Sequence, residues 1–337
     1  MVSVELFSYA DAYGAGPVDR LYAELVEQAE LADSLGYERL WLTEQHLDAA
    51  GRVPDSLQML AFIAARTRRL RLGTGVMPAA VHHPVLLVES VLQLEVLSGG
   101  RLDLGIGSGS EAGRILAALG TSPADTARRT QDLYRVLEQA RPGGRVRLPS
   151  AGGDLELDLD PAPAQPLLDH VWTAAGGSAL ALTERYRTGL LLPRPMPLAA
   201  RRTLADAYRA AVPEGRIVHF KAGLVAATEP EARRRAAGFV RNYARRYLDA
   251  AIGGPDTADF TDALHRLDFA VGTAEQVAEQ MLAWVDGFGP SNGVAIQFGG
   301  PEVKHRDVRD SLELFAPQIP VLATTGPTGE RASTPRP

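Results

Sequence analysis

Four short segments carry the residue types with which this chain of 337 residues could do chemistry. Leu72-Gly-Thr-Gly-Val-Met77 sets two glycines at the end of an apolar run, where backbone without a Cβ can approach a flat ligand closely. Gly105-Ile-Gly-Ser-Gly-Ser110 is glycine-rich and opens a helix, so exposed N–H groups and a helix dipole around Gly107, Ser108 and Gly109 could hold a phosphate. Ala174-Ala-Gly-Gly-Ser178 offers that chemistry again. Gly176 and Gly177 present unhindered amides, and Ser178 is either a plain N-cap or a hydroxyl facing a phosphate oxygen. Glu44-Gln45-His46 supplies the titratable groups: His46 either brings an imidazole to a pocket or is held by Glu44 or backbone, whereas Gln45 orients a neighbour but has no usable proton.

Other residues are weaker signals. In His82-His83-Pro84 the adjacent imidazoles point in different directions and no third ligand lies at a recognisable spacing, so no metal is expected and His83 reads as a structural helix start. Ser8, Tyr9 and Asp11, Arg194, and Gln297 to Gly300 all follow expected strands. Ser8, Tyr9 and Arg194 are read as substrate-side residues, Arg194 as an anion clamp for a cofactor phosphate or an acidic substrate.

The elements that must position these groups alternate regularly. Strand patterns run over Val2–Phe7, Glu38–Thr43, Arg69–Val76, Arg101–Ile106, Val171–Ala175, Gly189–Leu192, Ile217–Ala226 and Val294–Phe298, with helical patterns between them. Leu21, Leu25, Ala29, Ala32 and Leu35 share one helical face, and Pro84 suits a first helical position. Eight such units predict an α/β fold, a (β/α)8 TIM barrel, whose chemistry belongs at the C-terminal ends of the strands. Each segment above sits there. Residues 141–166 break the rhythm and read as a β-hairpin insertion in a single domain over 1–323; 250–270 stay unassigned, and the Thr/Pro/Gly-rich 324–337 reads as a disordered tail.

Composition narrows the function classes. With 35 basic against 41 acidic residues and net charge −6, the chain has no basic stripe for nucleic acid. It lacks cysteine, hence disulfides, thiol nucleophiles and thiolate metal sites. No apolar run suits a membrane span, and the first 14 residues carry Glu5 and Asp11 in place of a signal pattern, so the expectation is cytoplasmic. Nucleophile-elbow, phosphate-loop and dinucleotide fingerprints are missing.

Trp41-Leu-Thr-Glu-Gln-His46, the glycine segment at 71–76 and Ser98-Gly-Gly-Arg101 ahead of Gly105 together resemble the bacterial luciferase-like flavin monooxygenase superfamily. The resemblance implies a barrel of that type with a non-prolyl cis peptide at Gly75-Val76 behind an isoalloxazine ring, and a phosphate in the segments at 107–109 and 176–178. It implies a two-component monooxygenase: a separate flavin reductase supplies FMNH2, and O2 reacts through a C4a-(hydro)peroxyflavin to oxygenate a small organic substrate. It also implies a homodimer, since members often dimerise through the helices beside strands two and three. Two departures stand out, Gln45 where the family has its first histidine and Ser108 where many members carry an arginine. The alternatives on the same fold are hydride transfer with 8-hydroxy-5-deazaflavin, and a flavin-binding barrel without turnover.

Overall fold

Side chains on the eight strands alternate between a helix-facing and an axis-facing set, and the alternation closes a ring. The computed structural model describes residues 2–10, 17–47, 52–109, 113–148, 153–176 and 179–324. The barrel strands are β1 (Val2–Ser8), β2 (Arg39–Leu42), β3 (Arg71–Thr74), β4 (Leu102–Gly107), β5 (Val171–Ala174), β6 (Gly189–Leu192), β7 (Ile217–Val225) and β8 (Asn292–Gln297). Each pairs in parallel with the next, and β8 pairs with β1, so no edge is left. This is a (β/α)8 barrel, with all eight strands where the alternation places them.

Val2, Val4 and Leu6 on β1, Leu40 and Leu42 on β2, and Leu102, Leu104 and Ile106 on β4 join the core shared with the helices. Opposite parity puts Phe7, Trp41, Trp172, Leu191, Val218, Phe220 and Ala295 inside. Trp41 meets Trp172 edge to face at 5.6 Å. Such large residues fit only beside glycines: a Cβ on Gly73 would stand 2.4 Å from the Trp41 ring, and one on Gly189 would stand 2.3 Å from Trp172. Gly73 is therefore explained by Trp41. Gly75 is explained in part likewise, its absent Cβ falling 2.8 Å from that of Trp41, so packing asks for a small residue at both positions.

Below the tryptophans lies a floor of buried charge. Arg39 donates to Glu5 Oε1 and Asp103 Oδ2, each at 2.7 Å, and Arg71 Nε donates to Asp103 Oδ2 at 2.7 Å. Trp41 Nε1 donates to Glu5 Oε2, and Trp172 Nε1 to Asp103 Oδ1 at 3.2 Å.

Segment 141–166 holds an antiparallel hairpin, Val146–Leu148 with Leu155–Leu157, in a sheet apart from the barrel. An extra strand, Phe269–Gly272, pairs with Ala222–Val225 of β7 and was not legible in the sequence. Four residues buried on every side are too short a run for any period to register. Thr324 ends a helix, Ile319–Thr324, contrary to its assignment to the tail, and 325–337 lie outside the described residues. Among the described residues no helix is long and apolar enough to cross a membrane.

Candidate active site at the barrel mouth

At the end of β2 the chain turns Glu44 inward, where it is buried and saturated. Its Oε1 accepts from His46 Nε2 at 3.0 Å and His82 Nε2 at 2.6 Å, and its Oε2 from Ser56 N and Oγ at 3.2 and 2.8 Å. Burial would raise the carboxyl pKa; the hydrogen bonds from His46, His82 and Ser56 outweigh it and hold the group at about 2. An ionised carboxylate only accepts, so both imidazoles carry their proton on Nε2. The ligating atoms of Glu44, His46 and His82 lie within 4.8 Å of one another, so the expectation that His82 has no partners of this kind fails: they come from a different strand. Their separations are those of hydrogen bonds. His83 is the exposed residue before the helix Pro84–Ser98 and makes no side-chain cap bond.

The ends of β3, β4 and β5 form a second wall. The Gly75-Val76 peptide is cis. Val76 and Tyr9 pack on the inner cluster containing Phe7, Phe220 and Trp41, with Phe7 and Phe220 stacked at 4.6 Å and 13°. A Cβ on Gly107 would meet Val76 Cγ2 at 2.7 Å, so this glycine lets β4 pass behind Val76. Gly109 has φ +77° and would carry a Cβ 3.0 Å from that of Pro78. Ser108 is exposed, its carbonyl accepting Ala80 N–H at 3.3 Å. Gly176 is exposed, with open space where a Cβ would stand, just before the helix Ala179–Tyr186. Gly177 and Ser178, like Asp11, Ser110 and Glu111, lie outside the described residues.

Beside Tyr9, Gln45 Nε2 donates to its hydroxyl at 3.2 Å, and Thr43 Oγ1 donates to its carbonyl at 3.1 Å. Ser8 Oγ accepts Ala10 N–H at 3.2 Å. Arg194, beyond β6, reaches across to β8, where Nη2 donates to Gln297 Oε1. A small cleft of about 100 Å³, open to solvent, runs from Ser8, Tyr9 and Gln297 outward between the helices Val18–Leu35 and His305–Phe315.

The structure thus joins Gln45 with Tyr9, His46 with His82 through Glu44, Val76 with Gly107, and Arg194 with Gln297. Sequence reasoning missed the aromatic residues Phe239, Tyr243 and Phe269 around Arg194, since a helix and the unassigned stretch supply them and no spacing relates them to β6.

An eight-stranded barrel with an apolar ledge, a histidine-carboxylate cluster and glycine-lined strand ends at its C-terminal face defines the class of a cofactor-using barrel enzyme fold. Sequence comparison makes it specific: the luciferase-like monooxygenase profile matches residues 6–290, and the chain belongs to that family. It is 37% identical over 190 residues to the 4-hydroxyprotoasukamycin monooxygenase of Streptomyces nodosus subsp. asukaensis, a stretch covering 54% of this chain and 51% of that relative. It is 34% identical over 91 residues to the oxygenase component of the flavin-dependent trigonelline monooxygenase of Acinetobacter baylyi, covering 27% and 25% of the two chains. The chain thus spans about half the length of the first relative and a quarter of the second. The oxygenating constituent of 3,6-diketocamphane monooxygenase from Pseudomonas putida, solved with FMN, superposes with a TM-score of 0.76 at 16% identity, over 94% of this chain and 99% of that one.

Proposed function

We propose that this chain is the oxygenating component of a two-component flavin-dependent monooxygenase, which takes FMNH2 from a separate flavin reductase and uses O2 to oxygenate a small organic substrate. The observation that carries the reading is Glu44: the buried carboxylate of the mouth already accepts four hydrogen bonds and has no lone pair to spend on a substrate proton. A bound cofactor then supplies the reacting group, and the barrel supplies position and shelter. A flavin fits the residues present. Val76 and Tyr9 give an apolar ledge for a flat ring, and the exposed Gly176, with open space where a Cβ would stand, suits a phosphate approached by backbone amides; Gly107, Ser108 and Gly109 on the neighbouring strand end are assigned to the same task. When bound, the reduced flavin supplies oxygen activation. His46 would present an imidazole fixed in one tautomer by Glu44, and Gln45 would orient Tyr9. The trigonelline relative's name as an oxygenase component supports the reductase partner.

The same reading includes a homodimer. Phe62 on the helix Ser56–Arg66 and Leu86, Val96 and Leu97 on the neighbouring helix Pro84–Ser98 are exposed, an apolar outer face that a second copy would cover. Equilibrium binding of FMN, FMNH2 and 8-hydroxy-5-deazaflavin side by side tests the cofactor. FMNH2 is expected to bind more tightly than FMN. Exclusive binding of the deazaflavin would replace oxygenation with hydride transfer, and flavin binding without oxygen uptake against a broad substrate panel would leave a non-catalytic barrel.

A further inference from the structure

Arg194 is held in an unusual state. Its guanidinium lies 4.6 Å from the Tyr243 ring, 5.5 Å from Phe269 and 5.9 Å from Phe239, and Nη2 donates to Gln297. Its Nε and Nη1 are shut off from solvent and, among the described residues, have no hydrogen-bond partner. Arginine cannot shed its charge, and rings stabilise only the faces of the guanidinium, while its N–H groups point along the plane. Shielded, charged donors left unpaired are costly and rare in native proteins.

The charge nearby points the same way. Behind Arg194, Lys221 on the helix-facing side of β7 is fully buried, with Nζ 2.8 Å from Asp268 Oδ1. Arg201, also buried, places Nη2 2.5 Å from Asp268 Oδ2 and donates to the Met196 carbonyl at 3.1 Å, while among the described residues its Nε has no partner. Burial, opposed by Asp268 and reinforced by the charges of Arg201 and Arg194, lowers the Lys221 ammonium to about 7. Asp268 is thus shared by Lys221 and Arg201 and has nothing left for Arg194. The corner between β6 and β7 carries more positive than negative charge.

We infer that this corner of the mouth binds an anionic group, the carboxylate of the substrate, through the unpaired N–H groups of Arg194. That the carboxylate belongs to a substrate rests on the oxygenase reading. There the flavin phosphate goes to the segments after β4 and β5 and the ring to the ledge at β3, which leaves the β6–β8 side for the molecule to be oxidised. Gln297 fixes one edge of the guanidinium, and the aromatic box keeps water from competing for the rest. A phosphate on the same nitrogens would have the same chemistry, so the test separates the two sources.

Fluorine NMR with 4-fluorobenzoate and 4-fluorophenylacetate, each against its primary amide, measures the charge preference of the flavin-free protein directly. The wild type is expected to bind each carboxylate about tenfold or more tightly than its amide, the gain typical of one charge-assisted hydrogen bond. Arg194→Gln should equalise acid and amide, Arg194→Lys should restore part of the difference, and FMNH2 affinity should be the same in all three proteins. Three results would each overturn the inference: no carboxylate preference in the wild type, a preference that survives in a folded Arg194→Gln, or a loss of FMNH2 affinity in that variant, which would put the cofactor phosphate on Arg194. The wild-type arm needs no variant to fold. Because it also uses no flavin, its failure is distinct from a failure to bind FMNH2, which would remove the oxygenase reading instead.

Discussion

The two ends of the barrel treat buried charge in opposite ways. On the floor, Arg39 bridges Glu5 and Asp103, Arg71 adds a second cation on Asp103, and both tryptophan N–H groups cap the remaining carboxylate oxygens. Among the described residues, none of the buried polar atoms without a partner belongs to this set. At the mouth, among the described residues, Arg194 keeps N–H groups without a partner, although Glu44 at the same end is fully bonded by His46, His82 and Ser56. Residue type therefore does not separate structural charge from available charge. The count of filled hydrogen-bond positions does.

The sharpest way to break this contrast is to remove one cation from each end. Arg39→Met would leave Glu5 and Asp103 buried without their shared partner; Asp103 in particular, which burial would raise, is held well below the usual carboxylate range by Arg39, His170 and Arg71. Removing one member of a buried pair costs about 3 to 5 kcal/mol. Urea unfolding should show a loss of that size. Arg194→Gln removes a charge with a single hydrogen bond, so its stability should stay within about 1 kcal/mol of wild type. Similar losses in both variants would erase the distinction between floor and mouth.

Glu44 gives the next largest effect. Its carboxyl lies at about 2 in the folded protein against an ordinary value of 4.5, a difference of roughly 3 kcal/mol favouring the folded state when the group is ionised. The folded pKa is depressed, so this stability is fully present above pH 4.5 and is lost as the pH falls through the folded value near 2. Glu44→Gln should thus be less stable than wild type by about 3 kcal/mol at neutral pH, with the gap narrowing steadily below pH 4.5. A pH-independent gap would show that shape, and not ionisation, is what Glu44 contributes.

The sequence made the frame of this contrast legible and hid its content. All eight barrel strands could be read because strand and helix patterns alternate over long stretches, and a glycine-ended strand is a local signal. The cis Gly75-Val76 peptide followed from the family resemblance at those residues. The Glu44, His46 and His82 cluster was not legible, because β2 and β3 bring together residues nearly forty positions apart. For the same reason the packing of Gly73 and Gly75 against Trp41 was not legible: the parity that turns Trp41 onto them is a property of the closed ring. The Arg194 box draws on β6, β8, the helix Glu229–Leu248 and the strand Phe269–Gly272, and only the assembled mouth shows that its N–H groups are unspent.

The smallest expected effect tests whether the mouth holds a protein acid or base at all. Gln45 spends its amide on the Tyr9 hydroxyl, a single hydrogen bond worth about 1 kcal/mol, and an amide adds no titration in the accessible range. Gln45→Ala should therefore raise KM several-fold at most and leave the shape of the pH-rate profile unchanged. Gln45→His should keep contact with Tyr9 and add an ionisation near the free imidazole value of about 6.5, visible as a new limb. His46 is the control, since Glu44 holds its Nε2–H and leaves the other ring nitrogen as the atom able to take a proton. If His46→Ala abolishes a limb that Gln45→Ala leaves intact, the imidazole held by Glu44 moves the proton. If both variants keep the wild-type profile, the mouth contributes position alone, and its acid-base chemistry belongs to whatever binds there.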